Sequence, residues 1–186
     1  MTANPDAKMP SGVLGVVWRD VATNLRHQGL PVTWGRLFAC LAWSRGVQAV
    51  EIYRLSHYLR RRGIPVLPEL LMRLNQLIFT ADIYPEAEIG SGFMLIHPCN
   101  VVIGKGTVIG NDVQIFNGVS LGNRLTETAE RPDGYPTIGD EVILCTGAKI
   151  IGPVSIGARS MIGANAVVTF DVPPNSRVVG GRATIL

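Results

Sequence analysis

At 186 residues the chain is long enough for one domain, or one with a smaller appendage, and 47% hydrophobic residues supply an ample core. Three cysteines without CxxC spacing (Cys40, Cys99, Cys145) argue against a disulfide scaffold, and no apolar run reaches the roughly 18 residues that cross a bilayer. The net charge of +3 divides unevenly: residues 1–80 hold ten Lys/Arg against four Asp/Glu, and residues 81–186 hold seven against ten. Two regions with different roles are expected.

Residues 1–80 read as helical. Gly15 to Gln28 is a short amphipathic candidate ended by Gly29 and Pro31. Thr33 can cap a longer helix running to about Arg62, stopped by Gly63 and Pro65, and Leu67 to Thr80 makes a third. The run Arg60-Arg61-Arg62, close to apolar Val47, Ile52, Leu55 and Leu59, invites a reading of peripheral membrane contact. The favoured expectation is that these apolar stripes pack helix on helix or cover the open end of the region that follows. No basic-then-apolar leader pattern opens the chain, and the expected location is the cytoplasm. Nucleic-acid binding is not expected, because a basic-aromatic motif is lacking and the second region is acidic.

From Ile83 to Val168 the chain keeps a six-residue beat. The beat falls on Ile83, Ile89 and Leu95, then Ile103, Ile109, Ile115 and Leu121, then Ile138, Leu144, Ile150, Ile156, Ile162 and Val168. Two positions earlier stands a short or β-branched residue, such as Ala87, Thr107, Val113, Val142, Ala148, Val154 or Ala166. A 3.6-residue helical turn drifts out of register with such a beat within two repeats. A chain that turns a corner every six residues keeps it, with the aliphatic side chain pointing into a narrow core. The expected fold is therefore mainly β: a parallel β-helix over 81–186, three repeats per coil, behind an α-helical region at 1–80.

The beat breaks twice. An eight-residue step between Leu95 and Ile103 makes a bulge at His97, Pro98 and Cys99; a seventeen-residue step between Leu121 and Ile138 extrudes a loop over 122–137. Bulge and loop are expected to mark one working face. Of the three histidines, His27 ends a helix and His57 lies within one, so His97 is the candidate general base. Asp82, fifteen residues earlier, is expected close enough to accept a hydrogen bond from its ring and to hold its tautomer. Cys99 reads as a small buried filler or a loop-wall residue. No metal site and no phosphate cradle are expected, since histidines and acids do not cluster at ligand spacing.

The runs Asp82-Ile83-Tyr84-Pro85-Glu86-Ala87-Glu88-Ile89-Gly90, Val119-Ser120-Leu121-Gly122-Asn123, Gly147-Ala148-Lys149-Ile150 and Ile162-Gly163-Ala164-Asn165-Ala166-Val167-Val168, with His97 between the first two, resemble the serine O-acetyltransferases. These are left-handed β-helix hexapeptide acyltransferases. Length and the run Ser120-Leu121-Gly122-Asn123-Arg124 look still more like the short polysaccharide-cluster acetyltransferases of the colanic-acid type. The resemblance implies a homotrimer that could pair into a dimer of trimers, with acetyl-CoA as co-substrate in a groove between neighbouring solenoids. It implies that His97, supported by Asp82, deprotonates an acceptor hydroxyl for direct attack on the thioester. On the same mapping Gly122 and Asn123 face the pantetheine arm, Thr146 and Ala164 line the groove, and Arg159, Arg177 or Arg182 meets the CoA phosphates.

Two departures bear on the acceptor. Serine-using members carry an Asp before the catalytic His, where this chain has Ile96, and Arg-His-Pro after the loop, where it has Gly134-Tyr135-Pro136. Ile96 and Tyr135 instead suit a neutral acceptor with an apolar face. The expected function is CoA-dependent O-acetylation of a carbohydrate hydroxyl; a serine O-acetyltransferase or a catalytically silent trimeric scaffold is the alternative.

Overall fold

The computed structural model describes residues 12–124 and 134–181. Among the described residues four helices come first: α1 (Val13–His27), α2 (Trp34–Trp43), α3 (Arg45–Arg61) and α4 (Leu67–Phe79). The expected long helix from Thr33 is broken at Ser44, whose backbone is extended at ψ 108°. The Ser44 hydroxyl accepts from the Val47 amide at 3.5 Å, so the residue ends one helix and caps the next. That change of direction lets α3 lie across the solenoid while α2 stays packed on α1 and α3.

Among the described residues fourteen short strands follow, stacked as three parallel sheets. Sheet A contains β1 (Ala81–Ile83), β4 (Val101–Ile103), β7 (Ser120–Gly122), β10 (Lys149–Ile151) and β13 (Val167–Val168). Sheet B contains β2 (Glu88–Ile89), β5 (Val108–Ile109), β8 (Thr137–Ile138) and β11 (Ser155–Ile156), with Val172 bridging to Ile156 in the last coil. Sheet C contains β3 (Met94–Leu95), β6 (Gln114–Ile115), β9 (Ile143–Leu144), β12 (Met161–Ile162) and β14 (Arg177–Val178). Successive strands therefore visit A, B and C in turn, and each strand pairs with the one a full coil away.

The beat becomes vertical stacking. Ile83 pairs with Ile103, Ile103 with Leu121, Leu121 with Ile150 and Ile150 with Val168, all in register on sheet A. All thirteen on-beat side chains are buried, and so are the short residues two places before them. Each fully buried aliphatic of this size contributes about 1.5–3 kcal/mol relative to exposure. Because every on-beat residue touches mainly those above and below, the core is a column rather than a centre.

The helices cover the first coil: Ala49, Val50 and Tyr53 of α3 and Phe79 of α4 join the solenoid core with Ile52 packed against it; of the apolar stripe, Val47 packs helix on helix whereas Leu55 is exposed. Polar ties reinforce the seam. The buried Asp20 and Arg54 pair at 2.9 Å; Asp20 also accepts the Phe93 amide at 2.9 Å, and Arg54 donates to the carbonyls of Ile89 (2.5 Å) and Gly90 (2.6 Å). Tyr53 donates to the Ala87 carbonyl at 2.6 Å. At Gly46, in the first turn of α3, a Cβ would overlap the Leu95 carbonyl oxygen, so only glycine allows this approach. The arginine run is engaged: Arg60 pairs with Glu69 and Glu86, Arg61 lies 3.7 Å from Glu88, and Arg62 stacks 5.1 Å over Tyr58. Among the described residues no helix is long and apolar enough to cross a membrane.

Candidate active site

Each coil has three corners, and the corner from sheet C to sheet A carries Ile96, His97, Thr146 and Ala164. The bulge between β3 and β4 places His97 there, exposed and in the left-handed region at φ 54°. A side chain other than glycine costs about 1–2 kcal/mol in that region, and here the side chain is exposed to solvent. The turn is held by the Cys99 amide on the His97 carbonyl at 2.8 Å and by the Gly118 amide on the Cys99 carbonyl at 2.9 Å. Among the described residues the His97 ring has no hydrogen-bond partner. Cys99 is exposed on the same wall, so it is not the buried filler that was one of the two expectations.

The same corner repeats above. Thr146 stands in the turn from β9 to β10, and its hydroxyl donates to the Asn117 side chain at 3.1 Å; Ala164 stands in the turn from β12 to β13. The Asn165 amide donates to the Thr146 carbonyl at 2.9 Å. His97, Thr146 and Ala164 thus form one column along a single edge of the solenoid. Lys149, at the sheet A end of this edge, donates to the Gly118 carbonyl and to Ser120 Oγ.

Asp82 occupies the middle of β1, in register with Val102 one coil up. It is half-buried; burial pushes its carboxyl above the ordinary range, and the charge of Arg73 acts in the opposite sense. No hydrogen bond joins Asp82 to His97 among the described residues, contrary to the expected contact: Asp82 lies on the flat of sheet A, whereas the bulge carries the ring out at the corner.

The second break falls elsewhere. β7 ends at Gly122, and the chain returns to sheet B at β8, so the extruded loop leaves from the corner between sheets A and B. Gly122, Asn123 and Tyr135 belong to that corner. Tyr135 lies flat against Gly104 and Gly106, where a Cβ on either glycine would overlap its ring. Within one chain, then, bulge and loop do not share a face but flank sheet A at its two ends, and Ile96, half-buried beside His97, does not meet Tyr135. The expectation of one working face treated the two breaks as if the intervening strand had no length. Residues 125–133 of the loop and Arg182 lie outside the described residues. Arg159 sits at the corner from B to C, where it donates to Asn175 at 2.9 Å, and Arg177 lies in β14.

His97 faces a cleft of about 380 Å³ with a second wall that periodicity does not reveal. The end of α1 supplies Asn24, His27 and Gln28, and the junction of α2 with α3 supplies Ser44, Arg45 and Gly46. These residues come from 51 to 73 positions before His97 in the chain. The one local sign of them is Ser44-Arg45-Gly46, a capping residue followed by a glycine inside an otherwise helical run. No group of three or more metal-ligating side chains occurs among the described residues.

The model of the bacterial transferase hexapeptide (six repeats) matches residues 135–169. The serine acetyltransferase of Mycobacterium tuberculosis is 43% identical over 135 residues, which cover 73% of this chain and 58% of that protein. The serine acetyltransferase of Helicobacter pylori is 40% identical over 138 residues, covering 74% of this chain and 79% of the relative. This chain therefore spans little more than half of one relative and about four fifths of the other. Among solved structures, soybean serine acetyltransferase complexed with serine superposes with a TM-score of 0.81 at 32% identity, covering 95% of this chain and 70% of that one.

Proposed function

Because the chain belongs to the serine acetyltransferase family, one of acetyl-CoA-using acyltransferases, we propose that it transfers an acetyl group from acetyl-CoA directly to an acceptor hydroxyl, with His97 as general base. The observation that carries this reading is the uncommitted imidazole of His97, exposed over a cleft and heading the column of Thr146 and Ala164. The His97 ring takes the hydroxyl proton as the oxygen attacks the thioester carbonyl. The tetrahedral intermediate collapses with loss of the CoA thiolate, which takes up that proton as the thiol. No group of the protein is acylated. Asp82 is the partner that would orient the ring once substrates are seated.

Small side chains along the column suit a slender pantetheine arm lying against the coil backbone. A relative solved in complex with CoA supports that donor. Since Tyr135, Gly122 and Asn123 lie at the opposite end of sheet A from His97, a site holding both sets takes two copies of the chain. A closed ring of three solenoids, each offering its His97 edge to the next one's loop edge, satisfies every copy equally.

L-serine is the acceptor that the relatives' names favour. A carbohydrate hydroxyl is a second reading, favoured by Ile96 beside His97 and by Gly134-Tyr135 where a carboxylate grip is expected. The test is free-thiol release from acetyl-CoA by purified protein, with L-serine and a panel of sugars and glycan precursors in parallel. Turnover with serine supports the first acceptor, and turnover with a glycan alone supports the second. Silence with all of them, together with no acetyl-CoA binding by calorimetry, would leave a scaffold.

A further inference from the structure

We infer that the helical wall of the His97 cleft is an anchoring subsite for an anionic group on the acceptor, with Arg45 as its charge; this rests on the reading of His97 as the base. The cleft is lined by Asn24, His27 and Arg45 on the helical side and by Ile96, His97 and Cys99 on the solenoid side. Among the described residues neither an Asp nor a Glu lines it, so a cationic group entering there finds no counter-charge, whereas an anion does.

Arg45 is not held by a carboxylate as four other arginines of the helical region are. Arg19 pairs with Asp112 at 2.5 Å, Arg54 with Asp20 at 2.9 Å, Arg60 with Glu86 at 3.2 Å, and Arg61 with Glu88 at 3.7 Å. Arg45 is exposed and has no carboxylate partner among the described residues; its guanidinium carbon stands 6.0 Å from the centre of the Phe79 ring. Phe79 is itself buried in the solenoid core, so the arginine rests on a fixed platform. Gly46, the next residue, packs directly against the Leu95 carbonyl, two residues before His97. The backbone that carries the cation is thereby held to the strand that carries the base. A guanidinium presents paired N–H donors that match a carboxylate or phosphate edge to edge. This subsite would supply the anion grip for which residues 134–136 lack the usual side chains, and it would do so from a different element.

Both carboxylate and phosphate satisfy this chemistry, and three-carbon compounds separate them. The full chain is titrated calorimetrically with D-glycerate, glycerol 3-phosphate and uncharged glycerol, as wild type, Arg45→Gln and Arg45→Lys. The inference expects one of the two anions to bind the wild type, with Kd rising about tenfold to a hundredfold in Arg45→Gln and partly recovering in Arg45→Lys. Glycerol is expected to show no dependence on Arg45. Equal affinity in wild type and Arg45→Gln, or no binding of either anion to the wild type, would overturn it. Arg45 is exposed, so the substitution is expected to leave the fold intact, and far-ultraviolet circular dichroism checks this. Thiol release separates the two levels of the reading. Transfer that depends on His97 while the acceptor KM ignores Arg45 removes the subsite alone. Anion binding that depends on Arg45 without any transfer removes the base assignment alone.

Discussion

The solenoid and the helical region solve the same problem, covering apolar surface, in opposite ways. In the solenoid one residue in six repeats a single contact, and each buried aliphatic is supported by equivalents above and below, as Ile115 is by Leu95 and Leu144. In the helical region nothing repeats. The attachment depends on a few contacts between distant residues: Gly46 on Leu95, Asp20 on Arg54 and Phe93, Tyr53 on Ala87. The difference teaches where damage should spread and where it should stop. His97 sits where the two meet, on the first coil and under the helical wall.

The largest effect is expected from Gly46→Val. Its side chain would collide with the Leu95 backbone, which cannot rotate away, and a loss upwards of about 4 kcal/mol is expected in chemical denaturation. Asp20→Ala leaves Arg54 buried without its counter-charge and should cost about 3–5 kcal/mol. Hydrogen exchange sharpens the comparison: Asp20→Ala should expose the amides of α1 and α3 while those of β10 to β13 stay protected. Uniform loss of protection throughout would erase the distinction between the regions. Ile115→Ala, in the column, should cost about 3 kcal/mol and loosen the coils on either side of it.

Glu51 in α3 gives the most pH-specific effect. Burial, with Asp20 adding to it and Arg54 opposing, pushes its carboxyl from 4.5 up to about 8, and one carboxylate oxygen is buried without a hydrogen bond. The folded protein therefore holds a proton that the unfolded chain has lost, and Glu51 contributes most to stability below about pH 4.5. That contribution declines as pH rises and is gone above about pH 8. Glu51→Gln should flatten this slope, raising stability at pH 9 relative to wild type and leaving it little changed at pH 5. A variant that tracks wild type at both pH values would show that Glu51 is solvated.

Much of the solenoid was legible because stacking imposes its period on the sequence. A residue such as Ile150 must be aliphatic when Leu121 lies below it and Val168 above. The helices were legible as segments, but the division at Ser44 was not, since a serine inside a helical run becomes a stop only when packing calls for a new direction. Of the site, the exposed position of His97 followed from the broken beat, and the shared edge of Thr146 and Ala164 followed from the mapping by resemblance. What escaped depends on three-dimensional placement. The two breaks fall at opposite ends of sheet A, Asp82 lies on the flat of the sheet, and the wall of Asn24, His27 and Arg45 comes from residues far away in the chain. The wall leaves only Ser44-Arg45-Gly46 to read, and the separation of the two breaks emerges only when the beats are counted three to a coil.

The most direct measurement is the rate of thiol release from acetyl-CoA by His97→Asn beside wild type, with acetyl-CoA binding followed in the same preparations. The account predicts a fall of about a hundredfold to ten-thousandfold in rate with acetyl-CoA binding retained, because the base is lost while the groove is left in place. An unchanged rate would contradict it and move the chemistry away from this corner of the solenoid.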